Sequence, residues 1–127
     1  MNKTASIILT LALLISLGII FFGKSANNSP SVQNVEIKNG VQYVTINAKG
    51  GYFPKVSSAQ AGISTKLIMK TVNTLDCSST LVIKSLNYQN FLSPNTETEI
   101  DIGTKKAGET LQGLCGMGMY NFEVRFN

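Results

Sequence analysis

Apolar and polar positions fall into two regimes along this chain. Residues 5–22 form an uncharged, predominantly apolar run, and from residue 35 onward short stretches alternate between apolar and polar. Eighteen helical residues span about 27 Å, close to the roughly 30 Å hydrocarbon core of a bilayer. The run therefore predicts one N-terminal transmembrane helix within a segment 1–24 that acts as a membrane anchor. A cleaved signal segment is the alternative. Its apolar region usually covers about 7–15 residues, and Gly23-Lys24-Ser25 offers small residues at the right spacing without an Ala-x-Ala site. No cysteine stands near the end of the run, which excludes a lipid-modified anchor. With Lys3 on a short inner flank, the remainder is expected on the extracytoplasmic side of the cytoplasmic membrane. It would be held there by a single pass, or secreted if the segment is cleaved. Residues 25–34 are small and polar with one proline, as a flexible tether would be.

The part from 35 to 127 reads as all-β. Strands are expected at 41–48, 65–72, 80–83 and 97–102, rich in β-branched residues and partly alternating. Residues 120–126 alternate most clearly, with Tyr120, Phe122, Val124 and Phe126 on one face. Turn signals separate the runs at Asn39-Gly40, Gly50-Gly51, Ala61-Gly62, Ser93-Pro94-Asn95 and Ala107-Gly108. Short strands at this spacing predict a β-sandwich with Greek-key connections.

Composition narrows the chemistry. The chain has no histidine, which removes Ser-His-Asp and Cys-His catalysis, histidine zinc sites and the His₂Cys blue-copper site. A non-enzymatic protein is expected. The net charge of +4 falls to +2 without Lys3 and Lys24, and only Lys105 and Lys106 form a basic pair. Nucleic-acid binding wants a concentrated basic patch with stacking aromatics, so no nucleic-acid partner is expected.

The remaining candidate chemistry is sulfur. Cys77 and Cys115 lie 38 residues apart in two inter-strand loops, and Cys115 opens the run Cys115-Gly116-Met117-Gly118-Met119. In a sandwich, loops at one end cluster, so the two can meet. The glycines let a short backbone fold tightly, and alternate positions then offer one thiolate and up to two thioethers to one point. Thiolate and thioether ligands select Cu(I) over harder cations. Zinc rarely takes thioethers in place of nitrogen or thiolate, and calcium or magnesium want oxygen. The expected metal ligands are Cys77, Cys115, Met117 and Met119, and the expected cofactor is copper, with Cu(I) favoured.

Tyr52-Phe53-Pro54, the Ala61-Gly62 turn, the Cys77 loop before Leu81-Val82-Ile83, and Cys115-Gly116-Met117-Gly118-Met119-Tyr120 together resemble bacterial cupredoxin-like domains. The resemblance is to the small modules that accompany heavy-metal transporters and iron-uptake proteins, and it covers about residues 50–126. It implies a Greek-key cupredoxin-like β-sandwich over 35–127. It also implies that Cys115 is the thiolate ligand, Met119 matches the axial methionine, and Cys77 and Met117 stand where histidines are usual. A copper transporter or a cuproenzyme is then the implied partner, beside copper itself and the membrane.

Plainer readings stand beside these. Two cysteines in an exported domain pair as a structural disulfide on ordinary expectation. The protein would then be a disulfide-stabilised interaction module without metal, or a thiol–disulfide redox protein, although it has no Cys-x-x-Cys motif. Met117 and Met119 could fill core gaps. Asp76, beside Cys77, reads as a turn residue rather than a ligand, and Tyr52 and Phe53 are candidates to cover one side of the sulfur site.

Overall fold

The computed structural model describes residues 2–22 and 33–127, and the chain divides into two compact units, Met1–Ser31 and Val32–Asn127. The first unit contains one helix, α1, Lys3–Phe22. Its side chains are described as far as Ser16, and those are exposed. That stretch of fourteen residues spans about 21 Å. Among the residues described with their side chains, no helix is long and apolar enough to cross a membrane. The expected transmembrane helix is therefore not established by the structure. Most of the expected tether lies outside the described residues.

The second unit holds ten strands: β1 Val35–Lys38, β2 Val41–Ala48, β3 Tyr52–Phe53, β4 Val56–Ala59, β5 Ser64–Thr71, β6 Thr80–Ile83, β7 Tyr88–Phe91, β8 Thr96–Thr104, β9 Thr110–Cys115 and β10 Asn121–Phe126. They form two sheets. One runs β1-β2-β5-β8 with β3 also on β2, and the other runs β4-β10-β9-β6-β7. Two neighbouring pairs are parallel, β2 with β5 and β4 with β10. Parallel neighbours cannot be joined by a tight hairpin. After β2 the chain therefore crosses to the other sheet for β4 and returns as β5.

Alternation explains the long strands. Gln42, Val44, Ile46 and Ala48 of β2 are buried, and the register sets them beside Thr65, Leu67, Met69 and Thr71 of β5. Phe122, Val124 and Phe126 of β10 complete the apolar layer from the opposite sheet, with Leu111, Leu81 and Ile83. Gln42 is the largest polar side chain in this layer, which also holds Thr65 and Thr71. Its Nε2 donates to Thr65 Oγ1 (2.9 Å) and the Gln60 carbonyl (3.0 Å), while Gln60 N–H donates to its Oε1 (2.8 Å). Burial costs the amide little because its polar atoms keep partners.

The fold begins before the expected boundary at 35. Asn34 Nδ2 donates to the Thr45 carbonyl (3.1 Å) and to Ser57 Oγ (2.7 Å), and Thr45 N–H donates to the Asn34 carbonyl (2.8 Å). A side chain that ties both sheets belongs to the domain and not to a tether.

β9 contains Gly113 directly opposite Phe122 of β10. A Cβ at 113 would run into the Phe122 ring, so the aromatic lies flat across its partner strand only because that position has no side chain. The Phe122 ring meets Tyr52 edge to face, with centroids 5.1 Å apart and planes at 70°.

Candidate metal centre

The two cysteines are positioned by one pair of strands. β6 pairs antiparallel with β9, with Leu81 opposite Cys115. β6 therefore starts at the end of the sandwich where β9 stops. The segment leading into β6 makes a 3-10 turn, Cys77–Ser79, and so brings Cys77 over the last residue of β9. The Cα atoms of Cys77 and Cys115 are 5.7 Å apart, and the two sulfurs are joined as a disulfide. That separation lies inside the range that disulfides span. The meeting of the two loops, expected from the sequence, is realised, and the plainer reading of their chemistry is the one present in this structure.

Buried polar side chains brace the Cys77 loop. Thr74 is fully buried, and its Oγ1 donates to the Ala48 carbonyl (2.6 Å). Ser79 Oγ donates to the Thr74 carbonyl (3.1 Å), and Leu92 N–H donates to the Ser79 carbonyl (2.6 Å). Asp76 caps the 3-10 turn. Its Oδ1 accepts from Ser78 N–H (2.8 Å) and from the Ser78 hydroxyl, and its Oδ2 accepts from Gly50 N–H (2.7 Å). The Ser78 hydroxyl foremost, then the Ser78 and Gly50 N–H groups and the Lys49 charge, hold the Asp76 carboxyl below the usual carboxylate range. Asp76 is thus the turn residue that its sequence position suggested.

Tyr52 does more than cover the site. It is 1% exposed, and its hydroxyl donates to the Ser78 carbonyl (3.2 Å), one residue beyond Cys77. Burial, with the Asp76 charge nearby, pushes its phenol upward. Phe53 is half-exposed and shares a shallow depression with Lys55, Met119 and Tyr120. The sequence offered no signal for Thr74, Ser78 and Ser79, whose part is carried by small hydroxyls of ordinary loop composition.

The second loop is a tight turn. Gly118 N–H donates to the Cys115 carbonyl (2.8 Å), and Cys115 N–H donates to the Tyr120 carbonyl (3.0 Å). Gly118 takes φ +72°, in the left-handed region that disfavours side chains. Gly116 lies against Thr80. Its N–H donates to the Thr80 carbonyl (2.9 Å), and a Cβ there would come within 2.9 Å of Thr80 Cγ2. The turn thereby locks onto the start of β6.

Cys115 itself is 2% exposed, and its Sγ accepts N–H groups from Met119 (3.2 Å) and Tyr120 (3.4 Å). Met117 and Met119, by contrast, are 79% and 65% exposed. Neither fills the core, so the gap-filling reading of these methionines is set aside. Both thioethers are left in water, within four residues of Cys115. Among the described residues, no group of three or more His, Cys, Asp and Glu could hold a metal ion. Once the disulfide is reduced, Cys77 and Cys115, with Met117 and Met119 close in sequence, are the soft donors on offer here. That donor set fits a soft monovalent ion and fits hard or nitrogen-seeking ions poorly.

Known proteins agree with the fold. The metal-binding domain of the Streptococcus pneumoniae D39 Cu(I)-exporting P-type ATPase CopA, solved with Cu(I), has a TM-score of 0.65 and 20% identity over 73% of this chain and 92% of that one. A copper-binding protein solved in its apo form gives the same score and identity over 75% and 96%. A chain of a heme-copper terminal oxidase dimer matches at TM-score 0.52 and 14% identity over 98% and 95%. At these identities the likeness carries the fold alone. No curated protein matches the chain in sequence. The sequence model of the cupredoxin-like domain matches residues 11–124. The chain belongs to the cupredoxin-like domain family.

Proposed function

We propose that this protein holds Cu(I) through Cys77, Cys115, Met117 and Met119, for buffering or delivery, as a non-enzymatic binding protein. The observation that carries the reading is the meeting of two cysteine sulfurs from different loops, one of them followed within four residues by two exposed methionines. A structural disulfide alone has no use for Met-Gly-Met directly after one partner. The N–H groups aimed at Cys115 Sγ add support, since they stabilise charge on a thiolate and tune a metal bound to it. Two structures of the same fold are described as a Cu(I)-bound metal-binding domain and a copper-binding protein. The proposal extends that cargo here on the strength of this chain's own ligands. A sulfur-only site favours one valence, so holding and transfer fit better than electron transport.

The ion is cargo, and the joined sulfurs must first be reduced to the dithiol. The residues then act in order of position. Cys115 is fixed by the core and by its two N–H donors, Cys77 is presented by the 3-10 turn, and Met117 and Met119 approach from the solvent side.

The proposal also places the domain outside the cytoplasmic membrane, tethered by the N-terminal segment. The uncharged run 5–22 and the continuous helix α1 over Lys3–Phe22 support it. Twenty helical residues reach about 30 Å, the thickness of a bilayer core. Confinement there raises the effective concentration of a membrane-bound copper transporter or cuproenzyme.

Retention of Cu(I) by the reduced full chain against a competing chelator tests the reading. One equivalent should be kept, lost in Cys115→Ser and weakened in Met117→Leu. With Cu(II), no intense blue colour should appear. A second reading rests on the disulfide itself: a cross-linked β-sandwich that serves as an interaction module. A chain that keeps its disulfide under strong reductant and retains no copper would establish that module instead.

A further inference from the structure

The two joined sulfurs are not equivalent. Cys115 ends β9 inside the core cluster, 2% exposed, with its Sγ covered by the Met119 and Tyr120 N–H groups. Cys77 is half-buried at the head of its 3-10 turn, preceded by Leu75 at 85% exposure and by exposed Asp76. Access decides which sulfur of a disulfide is attacked, and a leaving sulfur departs more readily when its negative charge is stabilised. Here both preferences point the same way.

We propose that this disulfide opens from one side, by attack of a dithiol reductant on Cys77 Sγ, and that this opening gates entry of Cu(I). The reductant's thiolate forms a bond to Cys77 Sγ as the Cys77–Cys115 bond breaks. The electron pair leaves on Cys115 Sγ, where the two N–H groups receive it. The second thiolate of the reductant then closes its own disulfide and expels Cys77 as a thiolate. Two electrons pass from reductant to protein, and the reductant's two thiol protons end on Cys77 and Cys115. The partner so defined is a dithiol that reaches the Leu75–Cys77 edge of the domain. The gating half rests on the copper reading, because reduction turns two weakly donating disulfide sulfurs into thiolates, the form of cysteine that ligates a metal. The direction of attack does not depend on it.

A brief reaction of the oxidised full chain with reduced glutathione, acid quench and alkylation of the freed thiol tests the direction. Trypsin separates the cysteines into peptides 71–84 and 107–125, so mass spectrometry reads which one carries glutathione. Glutathione on Cys77 should exceed that on Cys115, because access and the stabilised leaving sulfur both favour attack there. Equal labelling, preference for Cys115 or an inert disulfide would overturn the directed opening. The gate is read by offering Cu(I), as its bicinchoninate complex, to oxidised and reduced chains. Uptake after reduction only supports it, and equal uptake by both overturns it. Labelling on Cys77 with no uptake in either state sinks the gate and the copper reading together, while the directed exchange stands.

Discussion

Gly113→Ala links the core to the Cys77 loop through one chain of neighbours. The position lies opposite Phe122 in an antiparallel pair, and no left-handed backbone angle demands glycine there. The nearest obstacle to a side chain is the Phe122 ring. Phe122 is fully buried and packs edge to face on Tyr52, whose hydroxyl holds the Ser78 carbonyl beside Cys77. An added methyl in a filled core costs about 1–3 kcal/mol. Displacing the ring pair forfeits a further 0.5–1.5 kcal/mol or so. The summed effect, about 1.5–4.5 kcal/mol, corresponds to a fall in melting temperature on the order of 10 °C or more for a domain this size. The chain has no tryptophan and four tyrosines, so tyrosine emission of the full chain in detergent micelles follows the transition. Gly113→Ala combined with Phe122→Leu should recover at least half of the loss, because the smaller side chain vacates the space. A single variant within about 0.5 kcal/mol of the parent, the usual range for harmless surface changes, would refute this account of why the glycine is there.

Other expectations follow from the same geometry. Reduction of the disulfide should lower unfolding stability by about 3–4 kcal/mol, the loop-closure value for 38 residues in the chain-entropy model. Denaturant titration with and without dithiothreitol measures it, and coincident curves would contradict it. The Asp76 carboxyl is held below its usual range in the folded chain. The stability it contributes is therefore present above the unfolded carboxylate value, about 3.9, and is lost as pH falls through the lower folded value. Asp76→Asn should differ from the parent at neutral pH and converge with it in acid, and a constant difference across the range would disprove the linkage. Gly118→Ala places a Cβ at φ +72°, with an expected loss of about 1–2 kcal/mol and weaker Cu(I) retention, both measurable on the reduced chain. Unchanged values would show that the turn adapts.

The strands that the sequence disclosed each have a buried face, but β9, with Leu111, Gly113 and Cys115 buried, was not among them. β2, β5 and β10 alternate because every second side chain meets the core, and β6 and β8 follow with fewer buried residues. β1 and β7 bury no side chain fully, β3 has two residues, and β4 carries serines through its middle. β1 and β7 exist through backbone pairing, which leaves no apolar pattern, and β3 and β4 are too short for buried Tyr52, Ser57 and Ala59 to make one. The parallel pairings were equally silent, since register between distant strands follows from the whole packing. At the candidate site the cysteines and methionines were legible because sulfur is chemically conspicuous. Thr74, Ser78 and Ser79 were not, since their value lies in hydrogen bonds across the fold. The choice between joined and separate sulfurs is a matter of redox state, which residue order does not encode.

Copper K-edge X-ray absorption on the reduced full chain loaded with one equivalent of copper tests the central claim most directly. The account predicts a Cu(I) edge and a first shell of sulfur alone, with one sulfur fewer in Met117→Leu. A nitrogen or oxygen shell, or copper lost before measurement to a competing chelator, would contradict it.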